Sequence, residues 1–245
     1  MTTKTRAIPE QDLFPLLQSI KNTQLKVYAS LLYWLAARAG ELLPYEHYQT
    51  KYKRDKKNQL IRDKKGHCIV ESRIKLFTSP GIPVSTIQVK DNYIEFLQVP
   101  VFKTKKGIKE TDYKTGLISK NKNPVYEDIL NYVLKKKKIQ EAKNKAAENS
   151  GSPPDTIYLF SKGVEDKDSE HFFWRFKKRL DRVMWKKGFT THSLRKSRLT
   201  KAGNSSGDVF FVKDISGHKS IGMASEYVAK KRLLDNMKKY EGFKE

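Results

Sequence analysis

The chain of 245 residues has one cysteine, Cys68. A lone thiol excludes an internal disulfide framework and a cysteine-built zinc site. Acidic residues are also scarce: 27 Asp+Glu stand against 50 Lys+Arg, for a formal net charge of +23. A Lys-rich surface of the heat-adapted kind would balance its lysines with glutamates, and this one does not. Such an excess selects a polyanion, and nucleic acid fits best, because every phosphate neutralised releases counterions. Long apolar runs are missing too. The most apolar stretch, residues 27–37, is too short to cross a bilayer and lies between Lys26 and Arg38. The first residues lack the apolar segment of a secretory signal. There is no Walker-type glycine-rich loop, no metal-ligand spacing among histidines and carboxylates, and no internal repeat. The missing signal and membrane span predict a soluble intracellular protein, and the chain is long enough to bury a real core.

Pro9-Glu10-Gln11-Asp12 opens a helical pattern through Leu13, Leu16, Leu17 and Ile20. A second helix is predicted over 24–43, with Leu31, Leu32, Leu35, Leu42 and Leu43 on its apolar side and Pro44 as its stop. Arg38 interrupts that apolar side, either as a snorkelling surface residue or as a functional one. Residues 50–65 are dense in lysine and read as a basic loop or insertion, with a short hairpin around Gly66. Alternation over 85–89, 93–102 and 111–118 predicts a three-stranded antiparallel sheet whose lysine-tipped turn, 103–109, is a plain sheet edge or a finger for a DNA groove. A helix follows over 125–147, then a loop over 149–154. Phe172, Phe173, Phe176, Leu180 and Val183 recur at helical spacing as a core-facing stripe, with Ser169 as the cap and Gly188 as the stop. Thr190 or Thr191 caps the next helix. Residues 229–245 read as a basic amphipathic helical tail.

His192 and Arg195 stand three apart and share one helix face. His218 follows a glycine, and Tyr227 lies nine residues beyond it. Two histidines, an arginine and a tyrosine can surround a phosphate and offer it a nucleophile. With Arg38-Ala39-Gly40-Glu41-Leu42, His192-Ser193-Leu194-Arg195, Gly217-His218 and Tyr227 in this order, the chain resembles the catalytic domain of the tyrosine recombinases, the phage-integrase family. The resemblance runs from about residue 8 to 228. Ser216 stands where the family usually has leucine, Lys196 where histidine is common, and Met223-Ala224-Ser225 where threonines are usual.

The resemblance implies an α+β, mostly helical fold with a small three-stranded antiparallel sheet. It implies one catalytic domain over residues 1–245 with an insertion at 50–83; typical members have a separate N-terminal core-binding domain, and this chain departs from them in starting almost directly at the catalytic domain. It further implies a site-specific recombinase or integrase acting on double-stranded DNA as a homotetramer, through a 3′-phosphotyrosine link, with neither metal nor ATP. A type IB topoisomerase and an inactive DNA-binding relative are the alternatives. The implied catalytic set is Arg38, Lys103, His192, Arg195, His218 and Tyr227, with Lys106 as the second choice for the hairpin lysine; Lys105, Lys106 and Lys196 would touch DNA. The residue types suit the chemistry. A tyrosine with a pKa of about 10 needs help to ionise, and guanidinium forks match phosphate oxygens and stay charged. His192 would carry a proton, His218 would hydrogen-bond the scissile phosphate, and the lysine would protonate the leaving 5′-oxygen.

Overall fold

The computed structural model describes residues 5–43, 45–79, 81–105, 108–121, 123–160, 169–218 and 220–228; the side chains of 45–50, 73–78, 103–105, 108–110 and 169–173 are outside the description. The elements are α1 (Glu10–Gln18), α2 (Thr23–Trp34), α3 (Ala39–Leu42), β1 (Tyr45–Tyr52), β2 (Val70–Ser79), β3 (Ile87–Val89), β4 (Tyr93–Lys105), β5 (Ile108–Ser119), α4 (Tyr126–Ser150), α5 (Ser169–Trp185), α6 (Thr191–Ser206), α7 (Val209–Ser216) and α8 (Ile221–Ser225). The fold is therefore α+β and mostly helical, as expected. No described helix is long and apolar enough to cross a membrane.

The apolar run that cannot span a bilayer becomes the axis of the core. From Val27 to Tyr33 every residue of α2 is buried, and α1, α4, α5 and α6 pack around it. Asn22 caps α2 by accepting from the Leu25 amide at 2.9 Å. A sheet in the order β3-β4-β5 closes one side. Ile87, Ile94, Phe96 and Ile118 face inward, as period-2 alternation requires. A register shift between Phe96 and Val99 adds one residue to β4, and it brings Val99 and Val101 to the inner face. The expected stripe on α5 holds where it is described: Phe176 and Leu180 are buried and Val183 packs beside them. Phe172 and Phe173 are outside the described side chains.

Three expectations change. The helix predicted over 24–43 is two helices, α2 and α3, separated at residues 35–38. Ala36 takes a left-handed backbone (φ 45°), a conformation costing a non-glycine residue roughly 1 kcal/mol. Arg38 is extended and caps α3. Two buried cations, described below, hold the Ala36 carbonyl and stabilise the break.

Only residues 50–52 of the lysine-dense stretch join a strand; the rest lies outside the named strands, as the loop reading expects, but it is carried on a second antiparallel sheet that the sequence did not predict. Strand β1 pairs with β2 from Tyr45 opposite Ser79 to Tyr52 opposite Val70. The hairpin around Gly66 is present, as the bridge between Arg62 and Cys68, but it has a twin between Arg54 and Leu60. The twin exposes a repeat, against the expectation of none: Arg54-Asp55-Lys56-Lys57-Asn58-Gln59-Leu60-Ile61 is followed directly by Arg62-Asp63-Lys64-Lys65-Gly66-His67-Cys68-Ile69. The predicted tail, 229–245, falls outside the described residues.

Candidate active site

Arg38 precedes α3 and stays partly exposed. Glu41, one turn on and fully buried, accepts from the Arg38 amide and from Arg38 Nη1, both at 2.7 Å. The same carboxylate lies 3.8 Å from Arg195 Nη1. One buried acid thus orients two arginines from distant parts of the chain. Arg195 projects from α6, a helix opened by a reciprocal cap between Thr190 and Ser193; of the two threonines expected, Thr190 is the cap. The Arg195 side chain is 1% exposed. Its Nη1 donates to the Ala36 carbonyl and its Nη2 to the Ser216 carbonyl at 2.8 Å. The guanidinium therefore ties the α2–α3 break to the end of α7. Burial pulls its pKa down to about 10 against the opposing pull of Glu41, so it remains a cation at neutral pH.

A lysine absent from the expected set stands beside it. Lys114, on β5, donates to the carbonyls of Leu35 (2.6 Å), Ala36 (3.3 Å) and Ile215 (2.6 Å). It bridges the same two segments as Arg195, sharing the Ala36 carbonyl and taking Ile215 where Arg195 takes Ser216. Burial first, then the charge of Arg195, lowers its pKa to about 7. Three carbonyls oppose that shift, since a neutral amine has two N–H bonds and an ammonium three.

His218 follows Gly217, whose left-handed φ of 67° ends α7 and whose α-carbon packs against Val101. Burial first, with Arg195, Arg38 and Lys114 adding to it, holds His218 at about 4, so it is neutral at physiological pH. Its Nδ1 has no hydrogen-bond partner among the described residues. Its ring stacks on Tyr227 with centroids 5.8 Å apart and planes 25° apart. Burial raises the Tyr227 pKa, while Arg195 and Arg38 pull it back. The Tyr227 backbone lies so close to α6 at Gly203 that a Cβ there would overlap its carbonyl. His192 lies with Arg38, Thr190 and Trp185 along a cleft of about 300 Å³. Burial, then Arg195 and Arg38, depress its pKa and favour the neutral imidazole.

The fold thus gathers Arg38, His192, Arg195, His218 and Tyr227. Lys103 and Lys105 are on β4, opposite Glu110 and Ile108, but their side chains are outside the description, and Lys106 is outside the described residues altogether. Lys196 donates to the Thr5 carbonyl at 2.9 Å. Sequence reasoning missed Lys114 and Gly203. Alternation could have flagged the lysine, because Gly116 and Ile118 face inward and residue 114 must follow them. No comparable signal marks Gly203. Among the described residues, no three His, Cys, Asp or Glu side chains are grouped so as to hold a metal ion.

The model of the phage integrase family matches residues 81–233. That span includes His192, Arg195, His218 and Tyr227 and leaves out Arg38, which the fold alone brings to them. No match is found among curated protein sequences. Similar solved structures include the XerH site-specific recombinase bound to its difH substrate (12% identity, TM-score 0.49, covering 98% of this chain and 56% of that one). Others are the XerA recombinase (15% identity, TM-score 0.47, 98% and 66%) and the catalytic domain of bacteriophage HP1 integrase (17% identity, TM-score 0.40, 91% and 87%). The chain spans little more than half of XerH and about two thirds of XerA, and likeness at this distance transfers no residue's role. The family match covers well over half of the chain, and by it this protein belongs to the phage integrase family.

Proposed function

We propose that the protein is a site-specific DNA recombinase that cuts and rejoins strands through Tyr227. The observation that carries this reading is a charge imbalance at the tyrosine. Arg38, Arg195 and Lys114 are set against the buried carboxylate of Glu41, with Glu226 the one further acid acting on the tyrosine among the described residues, so the site favours a further anion. A phosphodiester supplies one. Its non-bridging oxygens gain charge as the tyrosine attacks, where preorganised cations act most strongly; losing one such donor costs roughly 10²–10³ in rate.

In the proposed step the Tyr227 oxygen forms a bond to phosphorus and the bond to the 5′-oxygen breaks. The tyrosine proton passes to neutral His192, and the leaving oxygen takes a proton from the hairpin lysine, Lys103 or Lys106. The product is a 3′-phosphotyrosine and a free 5′-hydroxyl. Attack by a 5′-hydroxyl of a partner strand reverses the step, so bond energy is conserved and no nucleotide triphosphate is consumed. His218, neutral and with an unpartnered ring nitrogen, is suited to donate to a phosphate oxygen. Residues 1–245 act as one catalytic domain in this reading, and the homotetramer on DNA rests on family resemblance.

The test is trapping. Incubating the protein with nicked duplexes of randomised sequence should give a denaturant-resistant protein–DNA complex, and Tyr227→Phe should abolish it. A complex that persists in Tyr227→Phe, or none across the pool, rejects the reading.

A further inference from the structure

The tandem octads extend from the end of the β1–β2 hairpin, outside the span the family model matches. Each is the same small device. The aspartate side chain caps its own turn: Asp55 Oδ1 accepts from the amides of Lys57 (2.8 Å) and Gln59 (2.9 Å), and Asp63 Oδ1 from those of Lys65 (2.8 Å) and His67 (2.9 Å). The arginine closes the loop across it, Arg54 onto the Asn58 carbonyl at 2.7 Å and Arg62 onto the Gly66 carbonyl at 2.8 Å. Asn58 and Gly66 take the left-handed backbone the turn requires, with φ of 63° and 81°. At the base, three backbone bonds form a closed ring: Ile61 N–H to Lys53 O, Ile69 N–H to Ile61 O and Lys53 N–H to Ile69 O, at 2.9–3.0 Å. Two lobes of the same construction therefore rise from one base.

The acid and the arginine of each lobe are used in its construction. The isoleucine that ends each octad, Ile61 or Ile69, joins the ring at the base; the other residues common to both are Lys56-Lys57 and Lys64-Lys65, all four exposed. From Lys51 to Ile69 there are eight Lys+Arg and two Asp, a net of +6. Duplicating a rigid turn whose shared exposed product is a lysine pair makes a repeating cationic surface, which suits a partner with regularly spaced negative charge.

We propose that the paired lobes form a phosphate-backbone clamp that grips duplex DNA away from the cleaved bond. This rests on the reading of the chain as a DNA strand-transfer enzyme. The arm begins just after α3, the helix that Arg38 caps, and β1 has eight residues. At about 3.3 Å per residue, β1 carries the lobes about 26 Å beyond its own start. With a rise of about 3.4 Å per base pair, that length matches about eight base pairs, so the clamp meets the duplex outside the cleaved step. Phosphate contacts of this kind position the enzyme and carry no base specificity.

The experiment uses the full chain and a duplex of arbitrary sequence, about 30 base pairs long and so wider than this reach on both sides. Replacing Lys56, Lys57, Lys64 and Lys65 by glutamine should weaken binding at least about 10-fold and flatten the log K against log salt plot by up to about 3.6. Replacing Lys135, Lys138, Lys145 and Lys186, which are exposed on or just beyond α4 and α5, should have a clearly smaller effect. Equal loss in both sets would mean that net charge alone is responsible and would overturn the clamp. Lysine acetylation of the wild-type protein decides independently of any variant's folding: DNA should protect the four lysines, and unchanged reactivity rejects the proposal. Trapping by Tyr227 at saturating DNA reads the parent function separately. It should survive in the clamp variant.

Discussion

At the scale of single residues, the site is an exercise in keeping cations charged out of water. Glu41 offsets Arg38 and Arg195, and backbone carbonyls at the α2–α3 break and the end of α7 complete the solvation. Lys114 is the member whose charge is most in question. The unfolded chain holds this proton up to the ordinary 10.5, whereas burial and Arg195 bring the folded value to about 7. Between these limits the unfolded state binds more protons, so the contribution of Lys114 to stability rises as pH increases. Compared with Lys114→Met, the wild-type protein should gain about 3–4 kcal/mol of relative unfolding free energy between about pH 7 and pH 10. Urea titrations at several pH values measure this, and a constant difference would show that Lys114 is not buried as a charge. The residue could be placed on the inner face of β5 by alternation, but its three carbonyl partners could not be anticipated. They come from segments about 80 and 100 positions away in sequence.

Among the elements, α6 does most to set the geometry. It presents His192 and Arg195 from its first turns and accepts the Tyr227 backbone at Gly203. Gly203→Ala should raise intrinsic helix propensity by about 1 kcal/mol while displacing Tyr227, since the added methyl overlaps its carbonyl. Misplacement of a reacting group by about 1 Å can cost on the order of 10²-fold. Single-turnover trapping should therefore fall by about that factor with helical content retained; an unchanged rate would show that the contact does not position the tyrosine. The Thr190 cap, the end of α5 near Gly188 and the three strands were legible, because caps and alternation are local signals. The division of the second helix was not. Residues 24–43 have good helical periodicity throughout, and the break at Ala36 exists because Arg195 and Lys114 hold its carbonyl from elsewhere. The octad repeat was legible in the sequence and was overlooked, because charge density masked a motif eight residues long.

For the molecule as a whole, excess positive charge dominates. With a formal net charge of +23, duplex DNA binding should weaken steeply with salt, with a log–log slope on the order of −5 or steeper, as expected for six or more phosphates neutralised. A flat plot would contradict the basic-surface argument. The sequence by itself determined the family boxes, the apolar axis in α2, the mostly helical fold with its small sheet, and the polyanion preference, since these depend on composition, periodicity and short spacings. The tertiary structure alone decided what surrounds the tyrosine. It brought Arg38 to Arg195 through one buried glutamate, enlisted Lys114, set Tyr227 against Gly203, and folded two lysine-rich octads into matching lobes on one base. Each of these depends on through-space desolvation, charge pairing or backbone contact between residues that have no local relation along the chain.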